Sequence, residues 1–230
     1  WRQECELKTC VDLAAAATGW NEKTLARKGM VYGKDYERVI ITQNSHAGYY
    51  PGAVPMTLKL LFSPDGKKIF GAQIVGTDGV DKRIDTIAVT LRLGGGVQDL
   101  KNLELAYAPP YSSAKDPVNM AGFTAENVIR GLVQFSGWDD VERHPEAVLL
   151  DVREDAELMA YELPKSLHIS LGQLRSHLGQ LDRSKTYIVF CAIGVRSYNA
   201  ARILMNHGFE HVLLYPAGTR FYQSTHYEEE

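Results

Sequence analysis

An unbroken apolar run, Tyr187-Ile188-Val189-Phe190, leads into Cys191, and the loop Cys191-Ala192-Ile193-Gly194-Val195-Arg196-Ser197 then opens a helical stretch from Tyr198 to Asn206. A buried strand followed at once by a helix needs a core that receives both, and it places the loop between them at a strand's carboxyl end. A cysteine there lies among free backbone N–H groups and at the positive end of a helix dipole. Both effects favour the thiolate, which is the nucleophilic form, and Arg196 adds a fixed positive charge. Isolated cysteines are commonly buried and inert. The Gly, Arg and Ser that follow Cys191 point instead to a reactive one.

The neighbouring sequence alternates in the same manner. Ala147 to Val152 reads as a strand, Glu154 to Tyr161 as a helix and Ser166 to Ser170 as a short strand. Leu171 to Leu178 reads as a helix, Thr186 to Phe190 as a strand, Ser197 to Asn206 as a helix and Val212 to Tyr215 as a strand. Strands separated by short helices predict an α/β domain, a parallel sheet with helices on both faces. Ligands in such sheets sit beyond the carboxyl ends of the strands, where Cys191 lies.

The first half has a different rhythm. Leu7 to Ala17 and Glu37 to Gln43 are strand candidates, and Asn21 can cap a short helix through Glu22, Leu25 and Ala26 that Gly29 ends. Thr57 to Phe62 and Lys68 to Val75 form a hairpin around Pro64-Asp65-Gly66. Val80, Ile84, Ile87, Ala88 and Leu91 have helical spacing, stopped by Gly94-Gly95-Gly96. Gly79 lacks the Gly-rich surroundings of a phosphate loop. Tyr107-Ala108-Pro109-Pro110-Tyr111-Ser112-Ser113 is a stiff loop that sets its tyrosines in place, and Phe123 to Leu132 is helical. The result is an α+β domain, an antiparallel sheet with helices on one side, and a boundary between Gly131 and Gly137 divides the chain into residues 1–130 and 131–230.

A net charge of −3 argues against nucleic acid or an anionic membrane as partner, and no apolar run is long enough to span a bilayer. The opening Trp1-Arg2-Gln3-Glu4-Cys5 is no signal peptide and lacks an initiator Met, which suggests a processed chain or one cut from a larger protein. Cys5, Cys10 and Cys191 form no disulfide framework, as suits the cytoplasm. His207 and His211 are spaced like metal ligands, but Gly208 lies between them and no Cys or carboxylate cluster joins them, so no metal site is predicted.

Leu149-Leu150-Asp151-Val152-Arg153-Glu154 together with Cys191-Ala192-Ile193-Gly194-Val195-Arg196-Ser197 resembles a rhodanese (sulfurtransferase) domain, over roughly Gln134 to Tyr222. The resemblance implies that Cys191 accepts a sulfane sulfur as a persulfide and passes it to a thiol acceptor. It further implies an anion cradle built from the backbone N–H groups of Ala192, Ile193, Gly194, Val195 and Arg196, with Ser197 beside it. Arg196 would steady the loop or the anionic donor, and Asp151 and Arg153 would form a structural ion pair. Pro216-Ala217-Gly218 departs from the Gly-Gly turn common in rhodaneses, so the shape of that loop is open. Cysteine phosphatases need a longer loop between Cys and Arg than Ala192, Ile193, Gly194 and Val195 provide, which makes phosphatase the weaker reading.

In the first half, Ala15-Ala16-Ala17-Thr18-Gly19-Trp20-Asn21-Glu22-Lys23, His46-Ala47-Gly48-Tyr49-Tyr50-Pro51-Gly52 and the segment from Tyr107 to Asn119 resemble the dimerisation domain of coenzyme A-disulfide reductases, within the pyridine nucleotide-disulfide oxidoreductase family. Some members carry a fused rhodanese domain and reduce coenzyme A disulfide, coenzyme A persulfide or polysulfide with FAD and NAD(P)H. The resemblance implies a homodimer whose tyrosines reach into the partner's active site. The matching positions are Tyr107 and one of Tyr49 and Tyr50, with Tyr49 preferred; a phenol can donate a proton to a leaving thiolate. The chain has no Gly-x-Gly-x-x-Gly fingerprint, so FAD, NAD(P)H and coenzyme A are expected of a full-length parent and not of this chain alone. Two functions follow: sulfur transfer through a Cys191 persulfide, or a non-catalytic dimerisation and sulfur-relay module that works only with flavin domains.

Overall fold

Leu7 to Ala17, read from its apolar content as one strand, is a hairpin in the computed structural model, which describes residues 5–226 and leaves Trp1 outside them. Strands β1 (Glu6–Cys10) and β2 (Leu13–Gly19) pair antiparallel across a turn at Val11 and Asp12. Val11 takes φ 54, a left-handed conformation rare for a β-branched residue. The turn therefore carries no Gly or Asn by which it could be recognised.

Asn21 then caps α1 (Glu22–Arg27), its Oδ1 accepting the Thr24 N–H at 2.9 Å. Strands β3 (Glu37–Asn44), β4 (Pro55–Phe62) and β5 (Ile69–Gly76) complete a sheet of order β1-β2-β5-β4-β3 with every pair antiparallel. Leu58 lies opposite Ile74 and Leu60 opposite Ala72, all fully buried on one face of the sheet. Burial of each of these larger side chains contributes roughly 2 kcal/mol. The long helices α2 (Val80–Arg92) and α4 (Pro117–Ile129) pack on the sheet, joined through α3 (Val97–Asn102). Short α1 brings Leu25 against Tyr36, Leu61 and Phe70, covering one corner of the opposite face. Helix α4 begins six residues before Phe123, the start expected from sequence: Pro117 occupies its first turn, and Asp116 Oδ1 accepts the Val118 N–H at 3.0 Å.

The chain divides into two units, Trp1–Ile129 and Arg130–Glu230. In the second, β6 (Val148–Asp151), β7 (Leu167–His168), β8 (Tyr187–Phe190) and β9 (Val212–Leu214) form a wholly parallel sheet of order β7-β6-β8-β9. All four side chains of β8 are buried, although successive ones point to opposite faces, so both faces are covered. The helices are α5 (Asp140–Arg143), α6 (Asp155–Leu158), α7 (Leu174–His177) with a 3-10 turn after it, α8 (Val195–Asn206) and α9 (Gly218–Thr225). Helices α6 and α7 are shorter than their sequence patterns suggested, and α5 and α9 add two helices that the sequence reading did not predict. Phe190 stacks on Tyr215 at 4.4 Å between ring centroids, and Tyr222 of α9 meets both edge-on. That aromatic cluster holds α9 against the strand that ends at Cys191.

Candidate functional site

Cys191 follows the last residue of β8, and α8 begins at Val195, earlier than the sequence pattern suggested. Arg196 and Ser197 therefore lie in the first helical turn. Gly194, at φ 114, makes the reversal that starts the helix, a conformation that favours glycine. Its N–H donates to Cys191 Sγ at 3.1 Å. Of the N–H groups expected to form a cradle, from Ala192 to Arg196, Gly194's is the one bonded to the sulfur. Ser197 Oγ lies 3.6 Å from Sγ and donates to the Gly194 carbonyl at 2.8 Å. The cysteine is only 1% exposed.

The turn after β9 closes the loop from the other side. Thr219 N–H donates to the Cys191 carbonyl at 2.8 Å, and Arg220 N–H to the Ala192 carbonyl at 3.3 Å. Gly218 (φ 70) comes so close that a Cβ there would fall 2.2 Å from the Cys191 carbonyl oxygen. Ala217 takes φ 53, so the Pro216-Ala217-Gly218 departure keeps two consecutive left-handed residues. The alanine bears a cost of about 1–2 kcal/mol that a glycine would not.

Arg196 turns to α6. Its Nη1 and Nη2 donate to Glu157 Oε2 and Oε1 at 2.5 and 2.7 Å. Those bonds hold the Glu157 carboxyl well below the usual range, at about 2. Glu157 Oε2 also accepts the Glu154 N–H at 3.0 Å, so it caps its own helix. Beneath the site, Arg153 chelates Asp151, with Nη2 at 2.6 Å from Oδ2, and both are buried. Arg153 Nη2 also donates to the Tyr161 carbonyl at 2.9 Å. The expected ion pair at the strand end is present.

In the first unit, Tyr49 and Tyr107 place their hydroxyls 3.0 Å apart. Both rings are exposed, Tyr49 at 77% and Tyr107 at 48%. The bond to Tyr49 favours the neutral phenol and pushes the Tyr107 pKa up. Tyr50 instead meets His46 edge-on, with ring centroids 5.8 Å apart. The two loops are anchored by Arg83, which is 2% exposed. Its Nη2 donates to the Ser45 carbonyl at 2.7 Å and to Asp116 Oδ2 at 2.9 Å, and its Nη1 to the Gly79 carbonyl at 3.1 Å. Ser112 Oγ donates to the same Asp116 oxygen at 2.7 Å, and Ala47 N–H to the Ser112 carbonyl at 3.0 Å.

Residues 8–117 match the family described as pyridine nucleotide-disulphide oxidoreductase, dimerisation domain, and residues 138–224 match the rhodanese-like domain. The chain is a pyridine nucleotide-disulphide oxidoreductase dimerisation domain followed by a rhodanese-like domain. It is 45% identical over 92 residues to a coenzyme A disulfide reductase of Staphylococcus epidermidis, a match covering 40% of this chain and 21% of the relative. Its structure resembles that of reduced Bacillus anthracis CoADR-RHD, with a TM-score of 0.89 and 44% identity, over 96% of this chain and 39% of that one. A NAD-dependent persulfide reductase from A. fulgidus is similar at a TM-score of 0.83 and 37% identity, again over 96% and 39% of the two chains. The chain is thus homologous to the C-terminal region of coenzyme A disulfide reductases with a rhodanese domain, and spans about two fifths of the solved relatives. Dimerisation is a property of the first domain's family.

Two partners escaped the sequence reading. Glu157 stands 39 residues from Arg196, and its one local sign was the Glu-x-x-Glu capping pattern. Arg83 sits within the apolar spacing of the dimerisation domain's α2, where a charge signals a buried partner. Of the other candidates, His207 Nδ1 lies 2.7 Å from the Ile203 carbonyl, and Gly208 (φ 83) ends α8 before His211. Among the described residues no group of three His, Cys, Asp or Glu side chains is arranged to hold a metal, and no helix is long and apolar enough to cross a membrane.

Proposed function

We propose that this chain carries sulfane sulfur on Cys191, as a persulfide, within an FAD- and NAD(P)H-dependent coenzyme A-disulfide, persulfide or polysulfide reductase. The observation that carries the reading is the Gly194 N–H donated to Cys191 Sγ at 3.1 Å inside a loop that starts a helix. Cys191 thiolate attacks the outer sulfur of a donor R–S–S⁻; the S–S bond breaks and its electron pair leaves with R–S⁻. The enzyme-bound Cys–S–S⁻ then yields its outer sulfur to an acceptor thiolate, and the Cys191 thiolate is restored. Loop N–H groups offset the negative charge throughout, Ser197 Oγ supplies a polar wall, and Arg196 with Glu157 holds the loop in shape.

The reading places the chain in a homodimer formed through the Trp1–Ile129 unit, in the cytoplasm, where a free, exposed Cys5 is at home. In that dimer Tyr49 and Tyr107 present a hydroxyl pair to a leaving thiolate of the partner's active site. The glycines here do not fit a dinucleotide: the Gly79 carbonyl is engaged by Arg83, and Gly96 packs against the Gly66 carbonyl, where a Cβ would fall at 2.5 Å. Flavin and nicotinamide chemistry is therefore assigned to the full-length parent enzyme.

Incubating the chain with hydroxyethyl persulfide is expected to add one sulfur to the Cys191 peptide by mass spectrometry, and cyanide is expected to release it as thiocyanate. Cys191→Ala is expected to lose both. Failure of Cys191 to gain sulfur from any sulfane donor would overturn the reading in favour of a non-catalytic module.

A further inference from the structure

Within the Cys191 loop Arg196 is the one cation, and it is not free. Both of its terminal nitrogens are taken by the two carboxylate oxygens of Glu157. The next guanidinium, that of Arg153, is committed to Asp151 and the Tyr161 carbonyl. Glu154 is near enough to act on the charge of Arg196. Ala192, Ile193 and Val195 are apolar, Val195 being exposed at 55%, and Ser197 brings a neutral hydroxyl 3.6 Å from the sulfur. Arg220 stands next to the loop through its backbone bond to the Ala192 carbonyl. It is itself exposed, so water and salt screen its charge. The loop offers backbone dipoles and apolar surface to a donor, without an uncompensated positive charge.

We propose that Glu157 selects among the donors that Cys191 accepts: by neutralising Arg196 it favours organic persulfides, which leave as a thiolate with one charge on the sulfur, over thiosulfate, which leaves as the sulfite dianion. The inference rests on the sulfur-transfer reading above. Thiosulfate transfer is chemically balanced at this cysteine. Cys191 thiolate attacks the sulfane sulfur of S–SO₃²⁻, the S–S bond breaks, and SO₃²⁻ leaves with the electron pair. The leaving group carries two negative charges out of the loop, where hydroxyethyl persulfide leaves a thiolate carrying one. A site whose arginine is already paired has nothing with which to offset the second charge. Glu157 acts through Arg196 and is a specificity-determining residue that need not touch the donor.

The test compares kcat/KM for thiosulfate and for hydroxyethyl persulfide, both with cyanide as acceptor, in the full chain and in Glu157→Gln, Glu157→Asp and Glu157→Gln/Arg220→Ala. Releasing Arg196 in Glu157→Gln is expected to raise the thiosulfate-to-persulfide ratio about tenfold or more, the order of one charge-assisted contact. Glu157→Asp keeps the carboxylate and is expected to stay near the parent ratio. The gain in Glu157→Gln is expected to shrink as salt is raised. A fall of both donors together, with the ratio unmoved, would reduce Glu157 to a purely structural part and overturn the proposal. So would loss of the gain in the Arg220→Ala double variant, which would assign the cation to Arg220. A parent chain that takes sulfur from neither donor would sink the sulfur-transfer reading itself; one that takes it from persulfide, with the variants unmoved, would sink only the selection by Glu157.

Discussion

The two candidate sites differ in how they are finished. Cys191 is buried, bonded by the Gly194 N–H and enclosed by groups of its own unit: Ser197, the Gly218 turn and the Arg196–Glu157 pair. Tyr49 and Tyr107 point their joined hydroxyls into solvent, and all that is buried is the frame beneath them, Arg83 with Asp116 and Ser112. A nucleophile has to be shielded and oriented by its own fold, because its reactivity is set by the immediate dipoles. A pair of phenols that serves a reaction centre elsewhere has only to be held rigidly at a surface. The contrast separates a site enclosed within its own unit from a pair held open at a surface, as the proposed role in a partner's active site requires.

The largest effect expected from disturbing this contrast lies under the tyrosines. Arg83→Met leaves Asp116 charged and buried without its partner, at a cost of about 3–5 kcal/mol. Thermal unfolding followed by calorimetry is expected to show the Trp1–Ile129 unit melting earlier; a loss below about 1 kcal/mol would mean that the frame is not held by this pair. In the rhodanese-like domain, Gly218→Ala forces a Cβ against the Cys191 carbonyl at a left-handed φ. It is expected to cost about 1–3 kcal/mol and to slow sulfur loading of Cys191, read by mass spectrometry. Unimpaired loading would show that the loop tolerates displacement.

Smaller effects come from titration. Glu157 is held at about 2, below its ordinary 4.5, first by its hydrogen bonds from Arg196. A lowered carboxyl pKa stabilises the fold above the unfolded value, and that stability is lost as pH falls from about 4.5 toward 2. The side chain is about a third exposed, so screening limits the contribution to about 1 kcal/mol. Urea unfolding across that range is expected to steepen with acid in the parent chain and less so in Glu157→Gln; equal slopes would remove the pair from the stability of the domain. The smallest effect belongs to the exposed tyrosines. Tyr49→Phe removes the bond that favours the neutral Tyr107 phenol, so Tyr107 is expected to ionise at lower pH in an absorbance titration referenced to Tyr107→Phe. An unmoved titration would show that the two hydroxyls do not pair in solution.

What the sequence made legible was local. The hairpin at Pro64-Asp65-Gly66, the helix capped by Asn21 and the alternation around Cys191 each depend on residues a few positions apart, and each is present. The misreadings share a physical cause. The β1–β2 turn at Val11 runs against residue preference and is set by the antiparallel pairing of β1 with β2. The first turns of α4 were hidden by Pro117, which reads as a breaker unless the Asp116 cap before it is recognised. Helix α3 follows a run of glycines that reads as a loop.

The sequence by itself determined that a cysteine would stand between a buried strand and a helix, because burial pattern and helix start are properties of a short stretch of chain. Tertiary structure alone decided what surrounds it. Arg196 meets Glu157 across 39 positions, Tyr49 meets Tyr107 across 58, and Arg83 meets Asp116 across 33. Charge pairing and hydroxyl contact are set by distance in space, to within an ångström, and only the folded sheets bring those side chains together.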